Sequence, residues 1–189
     1  LDYRQQQGHF DRVVSIGMLE HVGPRNYDAY FDKVAGAAEG IAVVHTIAVH
    51  GKSAPVNRWL TKYIFPGGYL PSIEQLVRAT DRRRLKITDM EVMRGHYAET
   101  LKHWRLRFLE NHAKIEALYG PRFIRMWEFY LLGCEYFFRC QQGMVVQLQL
   151  AHDQFAVPGP RHYLQNLETE FRTVLCRKTP SGNESRLPK

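Results

Sequence analysis

Two short stretches of this 189-residue chain combine an acid, an imidazole and a glycine in a spacing that can do chemistry. The first is Gly17-Met18-Leu19-Glu20-His21 and the second is His45-Thr46-Ile47. Each closes a run of β-branched residues, so both fall at strand ends, where the loops of an α/β sheet converge on a crevice. Adjacent parallel strands lie ~4.8 Å apart, close enough for Glu20 and His45 to face one small ligand. A carboxylate and an imidazole so placed can hold and tune a proton acceptor. A plainer reading fits the same spacing: Glu20 solvates a loop, and His45 is a hydrogen-bonded core histidine. A metal-dependent hydrolase built on Glu20, His21, His45 and His50 is disfavoured, because no HExxH run occurs and the nine histidines scatter along the chain.

The elements that must position these residues follow from periodicity. Val13–Gly17 is nearly continuously apolar, as expected for a strand covered on both faces of a parallel sheet. Asn26 is placed to cap a helix reaching about Ala38, with Tyr27, Tyr30, Phe31 and Val34 at helical spacing and Gly40 as its stop. A second buried strand, Ile41–Ala48, completes a strand-helix-strand unit, the building block of doubly wound α/β folds. Beyond it the pattern gives a short aromatic helix over Arg58–Phe65, ended by Pro66-Gly67-Gly68, and a helix from a Ser72/Gln75 capping box to about Thr80. A third strand is expected over Leu85–Met93. Tyr97–Tyr119 reads as one helix, with Leu101, Trp104, Phe108, Ile115 and Leu118 on a single face and Gly120-Pro121 as its end. Phe123–Phe138 is apolar almost all round, so it is either deeply buried or faces an apolar ligand. A closing strand follows over Met144–Leu150. These elements make one main domain over residues 1–163, followed by a basic, flexible tail over 164–189.

Composition narrows the partners without choosing one. A formal net charge of +7 fits an anionic phospholipid surface, a nucleic acid or an acidic small molecule, and equally a merely solvated basic surface. No nucleic-acid-binding motif accompanies the charge, so no nucleic-acid partner is expected. Three cysteines without a CxxC pair argue against a disulfide scaffold and a cysteine-only zinc site, and favour a reducing compartment. The longest apolar runs fall far short of the ~20 residues that span a bilayer, which implies a soluble or peripheral protein.

The run from Phe10 to Gly23, FDRVVSIGMLEHVG, is followed in order by Asn26-Tyr27-Asp28, Val44-His45-Thr46-Ile47, and TKYIFPGGYLPS from Thr61 to Ser72. Tyr97, Thr100-Leu101, Trp104, the segment Tyr130 to Arg139 and the closing strand continue the series, which covers roughly residues 1 to 163. In order and spacing this resembles the C-terminal portion of the cyclopropane-fatty-acyl-phospholipid synthases and mycolic acid cyclopropane synthases. The resemblance implies the later strands of a Rossmann-like class I methyltransferase fold, with inserted helices forming a lipid-binding cover. It implies methylene transfer from S-adenosylmethionine to the cis double bond of a phospholipid acyl chain, with bicarbonate as proton acceptor. The implied bicarbonate and catalytic positions are Glu20, His45, Ile47 and Tyr97; the implied cofactor contacts are Asp2, Tyr3, Ile16 and Gly17. It also implies a cytoplasmic protein, peripheral at the inner membrane surface.

One departure from the pattern matters. The glycine-rich turn and the acid that holds the ribose in such methyltransferases have no counterpart in these 189 residues, and no GxG occurs. A complementary N-terminal chain or a second copy would then complete the sheet, and the alternative is a non-catalytic fragment that binds lipid or a partner. The chain alone is predicted to bind S-adenosylmethionine poorly; tight binding in a calorimetric titration would contradict this.

Overall fold

The computed structural model describes residues 2–53 and 55–178. The chain divides into two compact units, Leu1–Ala156 and Val157–Lys189. The first unit contains a four-stranded sheet of β1 (Phe10–Ile16), β2 (Ala38–Val49), β3 (Lys86–Met93) and β4 (Gly143–Ala151), in the order β1-β2-β4-β3.

β1 and β2 are parallel, whereas β4 lies antiparallel between β2 and β3. The parallel sheet expected from the sequence is therefore limited to one pair. The cause is the excursion after β3, which consists of α5 (His96–Glu110) and α6 (His112–Cys140). One crossover helix would return the chain to the opposite end of the sheet. Two helices in succession bring it back to the end it left, so β4 starts beside the end of β3, with Met93 paired to Val145.

Each face of the sheet has its own core. On one face α2 (Tyr27–Ala37) and α4 (Ile73–Asp81) pack Tyr30, Phe31 and Leu76 against Val44, Val146, Leu148 and Leu150. On the other, α5 and α6 pack Leu101, Leu131 and Phe138 against Val145 and Ile47. The strict alternation of a strand sends Val44 and Thr46 to the first face and Ile47 to the second.

β1 departs from its expected burial. Val14 and Ile16 are 64% and 68% exposed, since β1 is an edge strand and the helices beside it cover only the face of Val13 and Ser15. The Tyr30 hydroxyl donates to Ser15 Oγ at 2.7 Å on that covered face. An apolar run shows that both faces of a strand suit burial, but not that this chain supplies both covers.

Several boundaries also moved. Asn26 makes no side-chain cap; its amide donates instead to Val22 O, at the end of α1 (Leu19–Val22). α2 passes directly into β2 at Ala38, and Gly40 lies inside the strand. There a Cβ would stand 2.5 Å from Asp11 O, so the glycine permits β1 to approach rather than ending a helix. The expected single helix from Tyr97 breaks at Asn111, whose side-chain amide donates to Arg107 O and competes with the helical ladder. Gly120, at φ +78°, leaves the helical conformation and divides α6 into two helical segments, so the expected stop at Gly120-Pro121 is present, while Leu118 is exposed. The Ser72/Gln75 capping box is present, and Asn57 caps α3 (Arg58–Tyr63) through Trp59 N. In the second unit, the first part of the expected tail is α7 (His162–Lys178); its remainder lies outside the described residues.

Two glycines in neighbouring elements should respond oppositely to the same change. Gly40→Ala is expected to lower stability by about 1–3 kcal/mol through overpacking at β1. Gly36→Ala, inside α2 with nothing within 4 Å of the new methyl, is expected to raise it by about 0.5–1 kcal/mol. Urea unfolding of both variants checks the pair.

Candidate active site

The site begins where β2 outruns β1. Ile16, the last residue of β1, pairs with His45, and Gly17 N donates to His45 O at 3.0 Å. Backbone groups of alternate residues point the same way, so the N–H groups of Ile47 and Val49 also face the β1 side, where the strand has ended. Buried N–H groups must find acceptors. Val49 N finds Pro71 O at 2.9 Å, and Ile47 N finds the Glu20 carboxylate, with Oε1 at 2.6 Å.

Glu20 reaches this position because Gly17, at φ +65°, turns the chain sharply out of β1 into α1. Its backbone is held as well, since Glu20 O accepts from Tyr69 N at 2.9 Å. The residue is 8% exposed, with one carboxylate oxygen committed to Ile47 and the other, Oε2, buried without a partner. His45 Nδ1 is likewise buried without a partner. Each orphan costs about 1–3 kcal/mol if it stays unsatisfied, which is a demand for a ligand or water at this point.

Ile16, Gly17, Glu20, His45, Ile47 and Tyr97 all line one cavity of about 390 Å³. Glu20 and His45 therefore face the same space. A second, larger cavity of about 1020 Å³ shares Gly17, Glu20, Ile47 and Tyr97 with the first. Its walls include Trp59 and Phe65, together with Tyr130, Cys134 and Phe137 from α6. The acid, the amide and the phenol thus stand at the junction of the smaller and the larger cavity.

Burial pushes the Tyr97 phenol above its usual range, helped by neighbouring Cys134 and Glu20, so it remains a neutral hydrogen-bond donor. Its ring is fixed edge-on against Phe138, with centroids 5.0 Å apart. Burial also pushes the Cys134 thiol up to about 11, which keeps it protonated and a poor nucleophile at neutral pH.

The remaining expected residues lie elsewhere. Asp2 accepts hydrogen bonds from Arg4 N and Arg4 Nε, and the guanidinium holds its carboxyl down at about 2. Tyr3 packs edge-on against Tyr30. Neither lines either cavity. His21 lines the larger cavity beside Phe65, while His50 lines neither. Among the described residues no group of three or more His, Cys, Asp or Glu is placed to hold a metal ion.

Met93, His96 and Val145 also line the smaller cavity and were not singled out from the sequence. Met93 ends β3 and His96 opens α5, so the strand-end rule applied to the third strand would have found this pair; Val145 lies near the amino end of β4, where that rule does not look.

The role of the carboxylate can be separated from its charge. Glu20→Ala strands the Ile47 N–H and is expected to cost about 1–3 kcal/mol. Glu20→Gln keeps an acceptor oxygen and should cost clearly less. Thermal unfolding of the two variants side by side measures the difference.

The family described as mycolic acid cyclopropane synthetase matches residues 1–148. The cyclopropane-fatty-acyl-phospholipid synthase of Escherichia coli is 41% identical over 149 residues, covering 78% of this chain and 39% of that protein. A probable fatty acid methyltransferase of Pseudomonas putida is 40% identical over 147 residues, covering 73% of this chain and 37% of that protein. The chain therefore spans about two fifths of the length of these relatives. The cyclopropane synthase MmaA2 from Mycobacterium tuberculosis superposes with a TM-score of 0.73 at 26% identity, over 79% of this chain and 57% of that one. The mycolic acid cyclopropane synthase CmaA1, complexed with SAH and CTAB, gives 0.72 at 28% identity, over 78% and 57%. The open sheet is thus the later part of a class I methyltransferase fold. With a family match over most of its length, this chain belongs to the mycolic acid cyclopropane synthetase family.

Proposed function

We propose that this chain is the acyl-facing portion of a cyclopropane-fatty-acyl-phospholipid synthase-like methyltransferase, which transfers a methylene from S-adenosylmethionine to the cis double bond of a phospholipid acyl chain. The observation that carries this reading is the shared lining of the two cavities: Glu20, Ile47 and Tyr97 border both, and His45 completes the smaller one.

The chain's own residues do three things in this chemistry. The apolar walls of the larger cavity hold the acyl chain and exclude water, which protects a carbocation from hydrolysis. The Tyr97 face, and that of Trp59 in the larger cavity, attract positive charge developing nearby. Glu20 Oε2, His45 Nδ1 and the Tyr97 hydroxyl offer an acceptor, a ring nitrogen and a donor for a small oxyanion carrying one proton, and bicarbonate fits that set. Bicarbonate, when bound, supplies the proton acceptor and a negative charge beside the cation. The resemblance places the Ile47 backbone among the groups that hold the anion. Here its amide donates to Glu20, so its part is to orient the carboxylate.

S-adenosylmethionine, when bound, supplies the electrophilic methyl group. Ile16 and Gly17 border the cavity on that side, and Gly17 has nothing within 4 Å of where a Cβ would stand, which leaves the backbone open to close approach. Asp2 and Tyr3 are the proposed adenine contacts; they lie in a short 3-10 turn, Tyr3–Gln5, capped by Asp2 itself.

A second reading draws on the edge of the sheet. Exposed Val14 and Ile16 on the edge strand β1 fit a fragment that binds a complementary N-terminal chain, or a second copy, before it can act. No helix among the described residues is long and apolar enough to cross a membrane, and we place the protein peripherally at the inner membrane surface.

The test is a chimaera in which this chain follows the N-terminal portion of the Escherichia coli synthase. Glu20→Gln, His45→Ala and Tyr97→Phe are each expected to lower cyclopropane formation from phospholipid by about 100-fold or more. Unchanged turnover in all three would refute the assignment. Activity of the chimaera but not of the chain alone would support the second reading for the isolated chain.

A further inference from the structure

We infer that the outer stripe of α6, together with α3, is a docking surface for an anionic phospholipid bilayer, through which the acyl chain enters the larger cavity. This rests on the acyl-chain reading of that cavity. Arg125, Phe129, Leu132 and Tyr136 are spaced four, three and four residues apart on α6 and so share one helix face. Phe129, Leu132 and Tyr136 are 60%, 52% and 56% exposed, which is far from the burial such side chains usually find.

The stripe is continuous with α3 and with the cavity. Trp59 lies edge-on to Phe129 with centroids 4.7 Å apart and is tilted against Tyr63 at 5.4 Å. Both Trp59 and Phe129 line the larger cavity, so the exposed patch is also the rim of its wall.

Charge identifies the occupant. Lys62 Nζ lies over the Tyr63 ring at 5.1 Å, and Lys62, Arg58 and Arg125 make no ion pair among the described residues. Of the nearby acids, Glu135 pairs with Arg105 and Arg139 and Glu99 with Arg139; Glu128, beside Phe129 on α6, makes no ion pair among the described residues and is outnumbered by Arg58, Lys62 and Arg125. A cationic rim around exposed aromatics repels a second copy of a chain that carries a net charge of +7, and attracts phosphate headgroups. Aromatic side chains settle at the headgroup level, while Lys and Arg reach outward to the phosphates. The helix lies in the interface rather than crossing it.

The test is flotation of the full chain with vesicles of phosphatidylcholine alone and of equimolar phosphatidylcholine and phosphatidylglycerol. Binding is expected to the second kind only. Lys62→Ala with Arg125→Ala should weaken it about 25-fold, at roughly fivefold per cation. Phe129→Ser with Leu132→Ser should weaken it at both low and high salt, and Arg82→Ala, just past the end of α4, should leave it unchanged. Near-ultraviolet circular dichroism confirms that each variant is folded. Equal binding by the rim variants, or equal binding to both vesicles, overturns the proposal. So does a dimer in sedimentation that the rim substitutions dissolve while no vesicle is bound. Displacement of a fluorescent fatty acid in vesicle-free buffer tests the cavity separately: retained displacement with lost vesicle binding would sink the surface and spare the acyl-chain reading.

Discussion

A backbone N–H left without a strand partner organises this molecule. β2 extends past the end of β1, and the amide of Ile47 faces a place where no strand remains. A buried amide cannot be left unpaired, so a side chain must do what a backbone carbonyl would have done. Glu20 does it, and that single bond fixes where its second oxygen lies. The rest of the site is built around this constraint: the turn at Gly17 delivers Glu20, and the alternation of β2 brings His45 and Ile47 to one face. α5 then lays Tyr97 across the top.

The helical excursion between β3 and β4 has two consequences from one cause. Because α5 and α6 go out and return at the same end of the sheet, they reverse β4 and also roof the ends of the strands. The roof is apolar inside, giving the larger cavity its walls, and ion pairs from Arg139 and Arg105 tie the two helices together at their surface. The pairs are partly exposed, so packing of Leu101, Leu131 and Phe138 carries more of the association than charge does. A carboxylate beside such a roof keeps its field in a way that an exposed one does not.

Much of this was legible in the residues. Apolar and alternating runs located all four strands to within about three residues at each end, the capping box located α4, and glutamate and histidine at successive strand ends pointed to the cavity. What failed did so for physical reasons. Nothing in Val13–Ile16 shows which of its faces another part of the chain will cover, so its exposure was unreadable. The direction of β4 depends on the end of the sheet to which the helical excursion returns, which no residue pattern shows, and Asn111 hides a helix break inside a well-formed periodic pattern. Gly40 reads as a stop because a glycine that ends a helix and a glycine that admits a neighbouring strand look the same in sequence. The bond from Ile47 to Glu20 was beyond reach, since it follows from two strands differing in length by several residues.

The most direct measurement is amide hydrogen exchange, residue by residue, in the wild-type chain and in Glu20→Ala. Ile47 should be slow in the wild type and markedly faster in the variant, while Val44 and Thr46, paired with Leu148 and Val146 of β4, keep their protection. Exchange at Ile47 that is indifferent to the loss of the carboxylate would contradict the account at its root.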